Sequence, residues 1–310
     1  MSDYIIETEG LTKRYRDKIA VNDLALQIPR GEVFGFLGPN GAGKTTTILM
    51  LLGLTEPTYG TASVCGFNPT TQPLEVKRRV GYLPENPGFY EDLTARENLK
   101  YIARLNRIGE DTLDDLLQQV LDQVGLADDS NRPVREFSRG MKQRLGIAEV
   151  LVKEPEVIIL DEPTLGIDPD GVTRLLELIT RLQSERGLTV LLCSHLLHQV
   201  QQVCQRIGII VRSRMIVQGS PDELGRAILN EHQWNFLVEV AGDPPLEEAL
   251  SALPGVGQCE RRDSGWFIRC TRDVRPELMT LVRDQGLDLM QLRSEDPTLE
   301  EIYLKYFREA

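Results

Sequence analysis

No stretch of this 310-residue chain approaches the roughly 18 consecutive apolar residues that a membrane-spanning helix requires. Its opening, MSDYIIETEG, has neither a basic start nor the apolar core of a signal peptide, so a cytoplasmic protein is expected. Disulfides are not expected either. The five cysteines, Cys65, Cys193, Cys204, Cys259 and Cys270, are odd in number, scattered and without a C-x-x-C pair, the pattern of reduced thiols. An excess of positive charge is also missing. A net charge of -12 offers no clustered lysine and arginine to neutralise a phosphate backbone, and no nucleic-acid partner is expected.

What is present is ordinary in bulk: 41% hydrophobic and 26% charged residues, over a length that suggests two domains. From Met1 to about Asn230, short apolar strands alternate with helical patterns, the mark of an α/β domain with a largely parallel sheet. The exception runs from about Leu93 to Val152, where helix patterns follow one another without a strand. DDLLQQVLDQVGL, for example, places Leu116, Leu117, Val120, Leu121 and Val124 on one helical face. A helical subdomain is therefore expected at about 93–152. Residues 231–310 read as a separate domain in the order β-α-β-β-α-β, the ferredoxin-like α+β arrangement, closed by a helix from Pro297 to Phe307.

The chemistry is concentrated in VFGFLGPNGAGKTTTILMLLGL, Val33 to Leu54. The apolar run Val33 to Leu37 suits a buried strand, and Ile48, Leu49, Leu51 and Leu52 recur with helical spacing. Between them Gly38, Gly41 and Gly43 remove side chains from a tight turn that ends at a helix N-terminus, where unpaired N–H groups and the helix dipole favour an anion. Gly38-x-x-x-x-Gly43-Lys44-Thr45 is the phosphate-binding P-loop spacing. It predicts backbone contacts to the phosphates, Lys44 at the β- and γ-phosphates, and the Thr45 hydroxyl on Mg²⁺.

VIILDEP, Val157 to Pro163, supplies the acidic complement: Asp161 at the end of an apolar strand for the metal, and Glu162 beside it for the attacking water. Alternation along a strand is expected to point the two carboxylates apart. His195 follows another apolar strand, Thr189 to Ser194, and so falls at the sheet edge where α/β proteins bind ligands. FSRGMKQRLGIAEVLVKEP offers a second helix start, with Ser138 as N-cap and Gly140 permitting close approach. That is one anion site more than a single phosphate chain needs.

The ordered set GPNGAGKTT, FSRGMKQR, VIILDEPT, LGIDP and SH resembles the nucleotide-binding subunit of ATP-binding-cassette (ABC) transporters over roughly the first three quarters of the chain. The resemblance implies an ATPase that forms a homodimer, each ATP held between the P-loop of one protomer and the helix start at Ser138 and Gly140 of the other. It also implies an ATP site that includes Asn40 and Thr46, adenine stacking by Tyr15, an interface role for Asp168, and γ-phosphate contact by His195. The family's loop glutamine falls on Glu85, a carboxylate that can still meet Mg²⁺ but cannot donate a hydrogen bond. Arg139 and Met141 stand where the family usually has glycine and glutamine. These variants and the appended domain resemble the drug-, lipid- and polysaccharide-export branch, whose permease is a separate polypeptide. That resemblance implies an ATPase peripheral on the inner face of the cell membrane. The alternatives are a soluble ABC ATPase, which needs long coiled coils or two cassettes, and a regulatory module without catalysis. A GTPase lacks its N-K-x-D segment here.

Overall fold

The computed structural model describes residues 3–221, 223–224, 234–242, 245–262 and 265–294. The chain divides after Ser220 into two compact units. In the first, a six-stranded sheet has the order β5-β6-β7-β3-β8-β9. Its strands are β3 (Val33–Leu37), β5 (Val80–Leu83), β6 (Val157–Asp161), β7 (Thr189–Ser194), β8 (Arg206–Val211) and β9 (Arg214–Gly219). All neighbours pair in parallel except β8 and β9. β3, β6 and β7 are buried at every residue, which is why they read as continuous apolar runs rather than alternating ones.

A second sheet, β2-β1-β4, is antiparallel throughout and departs from the largely parallel expectation. β1 (Tyr4–Tyr15) and β2 (Lys18–Pro29) are joined by only Arg16 and Asp17, and a two-residue connection permits nothing but a hairpin. β4 (Tyr59–Val64) completes it. Ile6, Leu24, Leu26 and Val64 of this sheet share one core with Phe34, Phe36, Ile159 and Leu191 of the other.

Phe36 is fully buried in that core. Phe36→Ala should cost about 3–5 kcal/mol through lost transfer energy and a residual cavity. Urea denaturation followed by circular dichroism is the measurement, because both tryptophans, Trp234 and Trp266, belong to the second unit and their fluorescence would miss the effect.

The expected helical stretch contains α3 (Ala95–Leu105), α4 (Glu110–Gln123) and α5 (Arg139–Leu151) with no strand. α3 starts in a capping box: the Thr94 hydroxyl accepts from Glu97 N–H while the Glu97 carboxylate accepts from Thr94 N–H. On α4 the buried stripe is Leu113, Leu117, Val120 and Leu121, whereas Leu116 is only half-buried. The remaining helices of this unit are α1 (Lys44–Leu51), α2 (Pro73–Arg79), α6 (Pro169–Arg186) and α7 (Leu197–Val203).

The second unit holds β10 (Trp234–Val240), α8 (Glu247–Ser251), β11 (Val256–Arg262), β12 (Gly265–Cys270), α9 (Arg275–Asp284) and β13 (Leu289–Ser294). Its sheet order is β11-β12-β10-β13 with every pair antiparallel, the ferredoxin-like pattern. Phe236, Val238 and Ile268 pack with Leu250 and Leu278 of the helices. The expected closing helix at Pro297 to Phe307 lies outside the described residues.

Candidate functional site

The C-terminal ends of β3 and β6 lead into one cleft of about 290 Å³; β7 lies between them in the sheet, and His195 after it is not on the cleft wall. The floor of the cleft is the turn between β3 and α1. Gly43, the α1 N-cap, has φ 113°, and a Cβ there would stand 2.4 Å from Ala20 O. Gly38 has no such dihedral, but its Cβ would lie 2.4 Å from Ile210 O, so it serves close packing instead. With glycine as N-cap, no side chain occupies the first N–H groups of α1, and no acidic residue sits in its first turn. That end of the helix presents bare N–H donors and a positive dipole to the cleft.

Lys44, nearly fully buried, donates from Nζ to Gly38 O (2.6 Å) and Pro39 O (3.2 Å). Its ammonium also lies 3.1 Å from Glu162 Oε1, an ion pair whose angles fall short of a hydrogen bond. Thr45 Oγ1 donates to Asp161 Oδ2 at 3.1 Å. Asp161 Oδ1 is buried with no partner. Burial raises the Asp161 pKa, the Thr45 hydrogen bond opposes this, and the nearby Glu162 charge adds to it. Behind Asp161, burial and the Asp161 charge push the Tyr82 phenol up to about 12.

Glu162 does not continue the strand. It follows β6 with φ 49°, in the left-handed region that costs a non-glycine residue about 1–3 kcal/mol. The two carboxylates diverge through this backbone turn, not through strand alternation. Glu162 Oε2 lies 2.8 Å from His195 Nδ1, and the His195 N–H donates to the same oxygen at 3.4 Å. Against a carboxylate oxygen Nδ1 is the donor of this contact, which leaves Nε2 for a second partner. Lys44, Glu162 and His195 thus form one chain of contacts.

Tyr15, Asn40, Gly41, Gly43, Lys44, Thr45, Thr46, Glu85, Asp161 and Glu162 all border the cleft. The Tyr15 ring is half exposed, with the Lys13 ammonium 5.0 Å from its centroid. Lys18, Ala20 and Pro39 also border the cleft and escaped sequence reasoning. Lys18 and Ala20 arrive through the β1–β2 hairpin, whose pairing carries no motif. Ser138, Gly140 and Asp168 are not part of the cleft wall. Ser138 caps α5, its hydroxyl accepting from Met141 N–H at 3.2 Å, and Asp168 caps α6, accepting from Gly171 N–H at 3.1 Å.

An ABC transporter family model matches residues 21–165. The bacitracin transport ATP-binding protein BcrA of Bacillus licheniformis is 44% identical over 97% of this chain and 96% of its own length. The Nod factor export ATP-binding protein I of Burkholderia orbicola is 37% identical over 98% of this chain and 97% of its own. The chain belongs to the ABC transporter family. As an ABC ATPase it also shares its fold with solved cassettes. CbiO1 from Clostridium perfringens, part of the ABC transporter complex CbiONQ, superposes with a TM-score of 0.68 at 30% identity, covering 72% of this chain and 91% of that one.

The geometry of this ABC cassette fits a hydrated divalent cation. Among the described residues no cluster of three or more His, Cys, Asp or Glu could hold a metal unaided. Mg²⁺ does not need one: it is ordinarily held by one or two protein oxygens together with substrate phosphates. The Thr45 hydroxyl and the buried, unpartnered Oδ1 of Asp161 are oxygens of that kind.

Proposed function

We propose that this ABC ATPase binds MgATP in the P-loop cleft, hydrolyses it with Glu162 as general base, and so powers export through a separate membrane permease. The observation that carries the reading is the contact chain Lys44–Glu162–His195 beside the Thr45–Asp161 pair, at the edge where the parallel strands end. Lys44 and the bare N-terminus of α1 meet the phosphates, and the Tyr15 ring takes the adenine. Mg²⁺, when bound, offsets charge on the β- and γ-phosphates. Thr45, Asp161 and Glu85, all on the cleft wall, would hold it. Glu162 takes the proton of the attacking water, and His195 holds the Glu162 carboxylate on one side and the γ-phosphate on the other.

Export through a separate permease is supported by what the relatives are named for, bacitracin transport and Nod factor export. No helix among the described residues is long and apolar enough to cross a membrane. Work at the inner face of the membrane, through the permease, is part of this reading and is supported by the transport and export that the relatives are named for.

The helix start at Ser138 and Gly140 and the interface residue Asp168 act across a homodimer. Their position off the cleft wall of their own chain agrees with this. In a Glu162→Gln background, ATP should convert monomers to dimers in light scattering. Adding Ser138→Arg should prevent it, because the side chain crowds the phosphate and removes a cap that contributes about 1 kcal/mol. A parent variant that stays monomeric with ATP would count against the sandwich.

A further inference from the structure

The Tyr15 ring stands at the end of β1, beyond Thr12 and Tyr59, the last pair that this strand makes with β4. It borders the nucleotide cleft and is 46% exposed, so little packing fixes its orientation. What meets it is a charge. Lys13, two residues earlier and therefore on the same face of the strand, places its ammonium 5.0 Å from the ring centroid. At that distance a cation is attracted to the negative face of an aromatic ring.

The ammonium is itself anchored. Lys13 Nζ donates to Glu56 O at 2.7 Å, in the segment between α1 and β4. The same segment is bonded to the strand twice more, Thr58 N–H donating to Thr12 O at 2.7 Å and Arg14 N–H to Thr58 Oγ1 at 3.0 Å. Residues 12–14 are thus strapped to the chain that leaves the P-loop helix, and the Lys13 side chain carries this anchorage to the ring. A lysine kept only for solubility would extend its head group into water, whereas this one is half-buried and held at a carbonyl oxygen. Lys13 is not on the cleft wall, so it acts on a bound nucleotide through Tyr15.

We propose that Lys13 is a positioning residue for the adenine: its ammonium holds one face of the Tyr15 ring, and the other face receives the base. The inference rests on the reading of Tyr15 as the adenine platform. The cation does two things there. It limits rotation of the ring, so less freedom is lost when the base stacks, and it draws on the π-density of the ring, which lowers the repulsion between two stacked π-faces. A cation over an exposed ring corresponds to about two- to fivefold in affinity.

Isothermal titration of the full chain with MgADP and, separately, with magnesium pyrophosphate, which carries no base, tests this. Lys13→Met, neutral and of similar length, should weaken ADP by about two- to fivefold and leave pyrophosphate affinity unchanged. Lys13→Arg should restore ADP affinity. In steady state Lys13→Met should raise the KM for ATP by the same factor and leave kcat unchanged, since neither the phosphate contacts nor Glu162 is touched. In a Tyr15→Ala background, Lys13→Met should bring no further loss. Should Lys13→Met not fold, Lys13→Gln keeps a donor for Glu56 O without the charge and should show the same loss of ADP affinity. Equal losses for ADP and pyrophosphate would make Lys13 a structural residue or a remote charge on the phosphates, and overturn the inference. ADP affinity that falls in Tyr15→Ala but not in Lys13→Met overturns it as well and leaves the Tyr15 reading standing. Unchanged ADP affinity in Tyr15→Ala would instead defeat the adenine platform itself, and the inference with it.

Discussion

Glu162→Gln should lower ATP turnover about 10²–10⁴-fold, the usual loss when a positioned base is removed. That corresponds to roughly 3–5 kcal/mol of barrier. Glutamine keeps the shape and can still hydrogen-bond His195, so folding should survive. Nucleotide affinity should hold or rise severalfold. The Glu162 carboxylate lies against the Lys44 ammonium, and an incoming γ-phosphate must compete with it for that cation. A neutral amide competes less. Steady-state ATPase rate, affinity for a fluorescent ATP analogue and melting temperature on the one variant separate the possibilities. Near-wild-type turnover would refute the assignment, and joint loss of all three properties would make Glu162 a structural residue.

Lys44→Ala should weaken nucleotide binding by about 100-fold, the order expected when two phosphates lose charge-assisted hydrogen bonds of about 1.5 kcal/mol each. It should also destabilise the fold. Removing the ammonium leaves the buried Glu162 carboxylate without its cation, and breaking a buried pair in this way costs about 3–5 kcal/mol. The two effects can be told apart with Lys44→Ala combined with Glu162→Gln. The double variant should recover much of the melting temperature and none of the affinity. Titration of the analogue checks the second point: unchanged affinity in Lys44→Ala would defeat the P-loop assignment.

Much of the site could be read from the chain because its parts are local. The turn from Gly38 to Thr45 lies within eight consecutive residues, so spacing alone brings Gly43, Lys44 and Thr45 to the start of α1. Asp161 ends one fully buried strand and His195 follows another, and burial on both faces leaves a continuous apolar run that sequence shows plainly. The ferredoxin-like order of the second unit was equally visible, since each element has its own periodicity and its own turn residues.

The sequence did not carry what depends on distant partners. The β1–β2 hairpin turns on Arg16 and Asp17 without the glycine that marks such turns, and its twelve-residue strands bring Lys18 and Ala20 to the nucleotide cleft. Glu162 is aimed by a left-handed residue and held by His195, thirty-three positions along, whereas strand alternation predicted the divergence for the wrong reason. Glu149 and Lys153 have the spacing of a helical ion pair. Only the folded chain shows that carbonyl oxygens of Lys77 and Val80 have taken the lysine. The types and spacing of residues determined which chemistry this ABC ATPase can perform, because strands, turns and caps are set by neighbours a few residues apart. Which carboxylate faces which cation was decided by tertiary structure, because ionic contacts depend on where the backbone of other elements runs and on how much water it excludes.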